Sequence, residues 1–318
     1  MPKLNYRRWI TISAVLLFGI LVIIMMLLSS APKSSSTNNK VNVVAAENFW
    51  GSLVAQIGGN KINLKVLITD PNADPHEYES STNDARLFAS ANYVILNGAG
   101  YDSWGNKLLS ASPSQGRKVL MVSTLLGKKE GDNPHFWFSP SYVNQVIYQM
   151  KQDLSALDPK NSSYYAQQYA LLKTKLALYQ NQILDIKAHY SGTKVAATED
   201  IFVYLAQAAG LNLISPLTFM QAVAEGNDPP SNSVVQFEQQ LKSGQVKLLV
   251  YNRQTITPLT NSMKQLAITN NIPLIPVSET IEPTNLSFEA WMGGIIQQLQ
   301  SALSAQVKPW NNKTALIS

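Results

Sequence analysis

The sequence predicts an α/β protein: two parallel-sheet α/β lobes joined by a long, rigid spine helix. Three observations predict it. Short apolar runs alternate with helical patterns from residue 41 to about 122, which marks a parallel sheet with helices on its faces. The same alternation restarts at residue 194 and runs to about 305. Between the two, residues 162–190 (SSYYAQQYALLKTKLALYQNQILDIKAHY) carry one helical pattern without glycine or proline. At 1.5 Å per residue that helix is about 40 Å long, a spine and not a linker.

The elements follow from local signals. Residues 41–46 (VNVVAA) read as a buried strand, and 47–57 as an amphipathic helix closed by Gly58-Gly59. A strand at 64–68 leads to the 70–80 loop, then to a helix at 81–91 capped by Ser81 or Thr82. A strand at 93–96 ends at Asn97-Gly98-Ala99-Gly100 and precedes a helix at 102–111 and a strand at 119–122. Pro140 opens a helix to 157, broken by Asp158-Pro159. Beyond the spine come strands at 194–197, 211–214, 246–251 and 274–277, and helices at 201–209, 234–242, 259–270 and 287–305. The expected organisation is a signal or anchor segment and tether over 1–40, one metal-binding lobe over 41–160, the spine over 161–191, and a second lobe with a closing helix over 192–318.

Composition excludes several function classes. The chain of 318 residues suits two ordinary domains. It has no cysteine, which excludes disulfides, thiolate metal sites, Cys nucleophiles and a lipid-modified cysteine. The net charge of +5 is confined to the N-terminus: Lys3, Arg7, Arg8, Lys33 and Lys40 face no acid within residues 1–40. Removing those five from 25 basic residues leaves 20 against 20 acidic ones, so no basic face for nucleic acid is required. Residues 10–28 form a nearly unbroken apolar run behind Arg7 and Arg8. That run is longer than a signal-peptide core and close to the length that spans a bilayer. Pro32 after Ser29-Ser30-Ala31 disfavours cleavage, so the expectation is an uncleaved membrane anchor with the body outside the cell; the alternative is secretion after cleavage. Residues 31–40 are a polar tether.

Two of the three histidines follow a proline: His76 in Asp74-Pro75-His76-Glu77 and His135 in Asn133-Pro134-His135-Phe136. Proline fixes its own backbone and restricts the residue before it, which gives an imidazole a stiff mount of the kind a metal ligand needs. Both lie on loops that leave the C-terminal ends of predicted strands, where ligands of parallel sheets bind. The second half offers Glu199, just past a strand and at a helix start, and Glu279, just past another strand. Four candidates in matching places, two per half, point to a cleft site. An acid at a helix start is also an ordinary feature, and adjacent Asp200 is an alternative to Glu199.

The motifs NADPHEYE (72–79), NPHFWFSP (133–140), TED (198–200), EGNDPP (225–230), YNRQT (251–255) and PVSETIEP (276–283), with the spine between them, resemble the metal-binding solute receptors of ABC importers, the zinc and manganese receptors. The resemblance covers about residues 41–305. It implies two lobes with one divalent cation between them, held by His76, His135, Glu199 and Glu279. It implies an extracytoplasmic monomer that delivers Mn²⁺ or Zn²⁺, or Fe²⁺, to an ABC permease. Two imidazoles and two carboxylates suit either metal. Zinc receptors of this kind usually carry a third histidine and a His-rich loop, and residues 123–133 hold no histidine, which leans toward manganese or iron. A metallohydrolase is disfavoured: no H-E-x-x-H, nucleophile elbow or phosphate loop is present. An added adhesive role stays open. His189, at the end of the spine, reads as a helix-terminal residue, and Trp104, Trp137 and Trp291 as packing residues.

Overall fold

The computed structural model describes residues 40–70 and 78–305. The expected anchor at 10–28, its tether, and His76 lie outside the described residues. Among the described residues no helix is long and apolar enough to cross a membrane.

The first sheet is built from β1 (Val41–Glu47), β2 (Ile62–Ile68), β3 (Tyr93–Leu96) and β4 (Lys118–Met121), in the order β2-β1-β3-β4. All its pairings are parallel, with Val44 opposite Lys65 on one side and Val94 on the other. Between the strands run α1 (Asn48–Gly58), α2 (Thr82–Ser90) and α3 (Ser103–Ala111). Side chains alternate faces along a strand, and both faces of the central strands are buried. Val43, Ala45, Tyr93 and Ile95 enter one apolar cluster, while Val44, Ala46, Val94 and Leu96 enter another beneath α2 and α3. Ser81 caps α2: its hydroxyl accepts from the Asp84 N–H, and the Asp84 carboxylate accepts from the Ser81 N–H at 2.6 Å.

Val122 leaves the sheet at once to start α4 (Val122–Leu125). A single 3₁₀ turn at Phe136–Phe138 follows His135 and leads into α5 (Pro140–Leu157). The spine is α6 (Ser162–Tyr190). It buries Tyr165, Leu172, Leu176, Tyr179, Ile183 and Ile186, a stripe at helical spacing.

The second sheet contains β5 (Lys194–Ala197), β6 (Asn212–Leu213), β7 (Leu249–Asn252) and β8 (Leu274–Val277), parallel and ordered β6-β5-β7-β8. It therefore repeats the strand order of the first. Its helices are α7 (Val203–Ala208), α8 (Leu217–Ala224), α9 (Ser231–Lys242), α10 (Pro258–Thr269) and α11 (Phe288–Ala305). The helix expected at 201–209 opens as a 3₁₀ turn (Asp200–Phe202), the strand expected at 211–214 is two residues long, and α8 was not anticipated. One apolar cluster joins β1 and β3, α5, the spine, β5, β7 and β8, and α11. The lobes thus share a core along the spine, and the described residues form one compact unit.

Candidate metal centre

In each sheet the strand order reverses beside the central strand, between β1 and β3 and between β5 and β7. Crevices beyond the C-terminal ends of strands at such points are the usual ligand sites of open α/β sheets. Glu47 ends β1, Asn97 follows β3, Glu199 lies two residues past β5, Asn252 ends β7 and Glu279 lies two residues past β8. Asn48 ties the two ends together: its amide donates to Ile281 O at 3.3 Å and accepts from Ile281 N–H at 2.9 Å.

His135 is buried, 1% exposed. Its ring packs edge-on against Trp137 and Tyr101, at 5.2 and 6.3 Å between centroids. Nδ1 lies 2.9 Å from Asn133 Oδ1 and 3.4 Å from Asp200 Oδ1. Nε2 has no hydrogen-bond partner among the described residues.

The two glutamates are buried and electrostatically coupled. Thr255 Oγ1 donates to Glu199 Oε2 at 3.2 Å, and Oε1 has no partner among the described residues. Burial first, then the Glu279 charge, hold the Glu199 carboxyl well above the usual range; hydrogen bonds from Asn252 and Thr255 oppose this in part. Glu279 accepts from Asn252 Nδ2 at 2.9 Å and from the Tyr101 hydroxyl of the first lobe at 2.8 Å. A buried acid pair with an oxygen unpartnered among the described residues, and a buried imidazole whose Nε2 is likewise unpartnered, are donors of the kind a cation takes, and its charge would oppose the burial that raises Glu199.

Among the described residues no three His, Asp or Glu side chains gather closely enough to hold a metal ion. The predicted ligands come together in pairs, Glu199 with Glu279 and His135 with Asp200, and His76 is outside the described residues. His189 stands apart on the last turn of the spine, 2.9 Å from Asp185 O. Trp104, Trp137 and Trp291 are buried packing residues.

The expected equivalence of the four ligand positions holds only for His135 and Glu279, which follow the corresponding strands β4 and β8. Glu199 follows β5, whose counterpart β1 ends in Glu47. The sequence repeats accordingly: Val44-Ala45-Ala46-Glu47 against Val195-Ala196-Ala197-Thr198-Glu199. Glu47 is fully buried, and among the described residues no hydrogen bond of good geometry reaches either of its oxygens. Burial and then the Asp102 carboxylate keep it protonated well above the usual range. Asp102 is itself satisfied, accepting from the Asn97 and Gly98 N–H groups at 2.6 and 2.8 Å. Sequence reasoning missed Glu47, Tyr101, Asn252 and Thr255. The V-A-A repeat and the polar run YNRQT after β7 were the available signals.

The family described as zinc-uptake complex component A, periplasmic (ZnuA), matches residues 43–302. The manganese ABC transporter substrate-binding lipoprotein PsaA of Streptococcus mitis is 27% identical over 189 residues, 54% of this chain and 60% of that protein. The metal ABC transporter substrate-binding lipoprotein FimA of Streptococcus parasanguinis is 23% identical over 252 residues, 74% of this chain and 78% of that protein. The chain spans about 60% of the length of the first curated relatives it matches. Among solved structures, the solute-binding protein FpvC of Pseudomonas aeruginosa with Mn²⁺ superposes with TM-score 0.70 at 19% identity, covering 84% of this chain and all of that one. Zn(II)-bound AdcA of Streptococcus pneumoniae gives TM-score 0.65 at 18% identity, covering 83% of this chain and 58% of that one. These likenesses show the fold.

Proposed function

The chain belongs to the zinc-uptake complex component A family, and from that premise we propose that it is an extracytoplasmic receptor that captures Mn²⁺ or Zn²⁺ and delivers it to an ABC permease. The cation is cargo, held by His76 and His135 from the lobe over 41–160 and by Glu199 and Glu279 from the lobe over 192–318, across the spine at 161–191. The observation that carries this reading is the buried Glu199–Glu279 pair, with a Glu199 oxygen that has no partner among the described residues, linked to the His135 ring by Tyr101, whose hydroxyl donates to Glu279 at 2.8 Å and whose ring lies 6.3 Å from the imidazole. A divalent cation suits this set because carboxylate oxygen and imidazole nitrogen are its ordinary donors. Tyr101 and Asn252 hold Glu279 from opposite lobes, and without a cation the raised Glu199 carboxyl is the group that takes up a proton.

Attachment to the membrane is part of the proposal. PsaA and FimA are named lipoproteins, and these 318 residues hold no cysteine to lipidate. The apolar run at 10–28 supplies the tether instead.

The test is isothermal titration of the full chain in detergent with Mn²⁺, Zn²⁺ and Fe²⁺, beside His76→Ala and Glu279→Ala. One tight equivalent, weakened more than about 100-fold in each variant, is expected, since even outer-shell partners are worth 10–100-fold. Binding indifferent to both substitutions would refute the site.

A further inference from the structure

Asn133 stands directly before the Pro-His motif and touches both lobes. Its Nδ2 donates to the main-chain carbonyl of Asp200 at 2.7 Å. Its Oδ1 accepts the main-chain N–H of His135 at 2.9 Å. Its own carbonyl accepts from the Tyr204 hydroxyl, also at 2.9 Å. The first two partners are unambiguous, since a carbonyl only accepts and a peptide N–H only donates. They fix which end of the amide is oxygen.

That orientation decides the state of the imidazole. The atom 2.9 Å from His135 Nδ1 is Asn133 Oδ1, an acceptor. Asp200 Oδ1, a second oxygen, lies 3.4 Å from Nδ1. A lone pair on Nδ1 would face two oxygens; a proton there meets both. The neutral ring therefore carries its proton on Nδ1 and its lone pair on Nε2, the nitrogen that is buried without a partner among the described residues. Pro134 stiffens the mount, and its carbonyl accepts from Asn97 Nδ2 at 2.9 Å.

We infer that Asn133 is a positioning residue that sets His135 in the Nδ1–H tautomer and, through Asp200 O, registers it against the loop carrying Glu199. One side-chain amide thus couples a first-lobe donor to a second-lobe donor before any cation arrives. The inference rests on the cleft being the cation site, but its primary readout does not need a cation.

The experiment is long-range ¹H–¹⁵N correlation of the three histidine rings in the metal-free full chain at pH 8.5, assigned with single His→Gln variants. His135 is expected with its proton on Nδ1. Asn133→Asp, which keeps an oxygen acceptor, is expected to retain that proton. Asn133→Ala is expected to lose the Nδ1–H preference and to bind the cation about 10- to 100-fold more weakly. A wild-type His135 protonated on Nε2 would overturn the inference without any variant, as would an Asn133→Ala spectrum identical to wild type. If the wild type binds no cation while His135 still shows the Nδ1–H pattern, the receptor reading fails and the tautomer assignment stands.

Discussion

Replacing Glu199 by glutamine should stabilise the metal-free protein while abolishing its use as a receptor. Glu199 is 1% exposed, beside Glu279 at 3%, and its folded-state pKa is raised by burial and then by the Glu279 charge. The sign follows from linkage. The unfolded chain releases this proton near 4.5, while the folded protein still holds it. Stability therefore falls as pH rises from 4.5 toward the raised folded value, at up to about 1.4 kcal/mol per pH unit for one proton. Glutamine does not titrate, and its carbonyl can keep the Thr255 hydrogen bond. The variant's advantage should be near zero at pH 4.5 and grow with that slope. For a chain of this size, about 1 kcal/mol moves Tm by roughly 2–4 °C. The assay is urea unfolding followed by tryptophan fluorescence, with chelator, from pH 4.5 to 8. With cation at 100 times Kd the wild type gains about 2.7 kcal/mol that the variant does not, so the advantage shrinks or reverses. A metal-free difference that is flat with pH, or a variant less stable throughout, would refute the argument.

Three further outcomes are expected. Glu47→Gln should show the same pH-dependent stabilisation, because Glu47 is also raised by burial and by Asp102; a loss of stability at pH 7 in urea melts would count against a neutral Glu47. Gly98→Ala should cost about 2–4 kcal/mol by urea midpoint, combining a left-handed residue with overpacking, since Gly98 has φ +77° and a Cβ would meet Ser123 Oγ and, at 2.6 Å, Met121 Sδ. Ser81→Ala should lower stability by about 1 kcal/mol through loss of the α2 cap, read as a Tm shift with cation binding unchanged.

Much of the fold was legible because its signals are local. The spine, 162–190, and α5, 140–157, are bounded as Pro140, the Asp158-Pro159 break and the glycine- and proline-free pattern predict, and β3 and β5 as their apolar runs predict. Ser81 emerges as the cap because Asp84 completes a reciprocal box. The second lobe was harder. Only two residues of the run at 211–214 pair with β5, since strand length depends on a neighbour the sequence does not display. The helix α8 was not assigned although Phe219, Met220 and Val223 have helical spacing. At the candidate site, the positions of His135, Glu199 and Glu279 past strand ends were legible from the apolar runs before them. Tyr101, Asn252 and Asn133 were not assigned roles, because what they do is fixed by partners 178, 27 and 67 residues away in sequence. Glu47 was hidden for a different reason: an acid opening a predicted helix looks favourable at its N-terminus, and only the structure shows that it is sealed from solvent.

The central claim is that one cation is held by two imidazoles and two carboxylates drawn from both lobes. Its most direct test is X-ray absorption at the metal edge of the loaded protein, with His76→Ala and His135→Ala alongside. Two imidazole nitrogens with carboxylate oxygens in the wild type, and one imidazole fewer in each variant, are predicted. An all-oxygen sphere, or one unchanged by either substitution, would contradict the account.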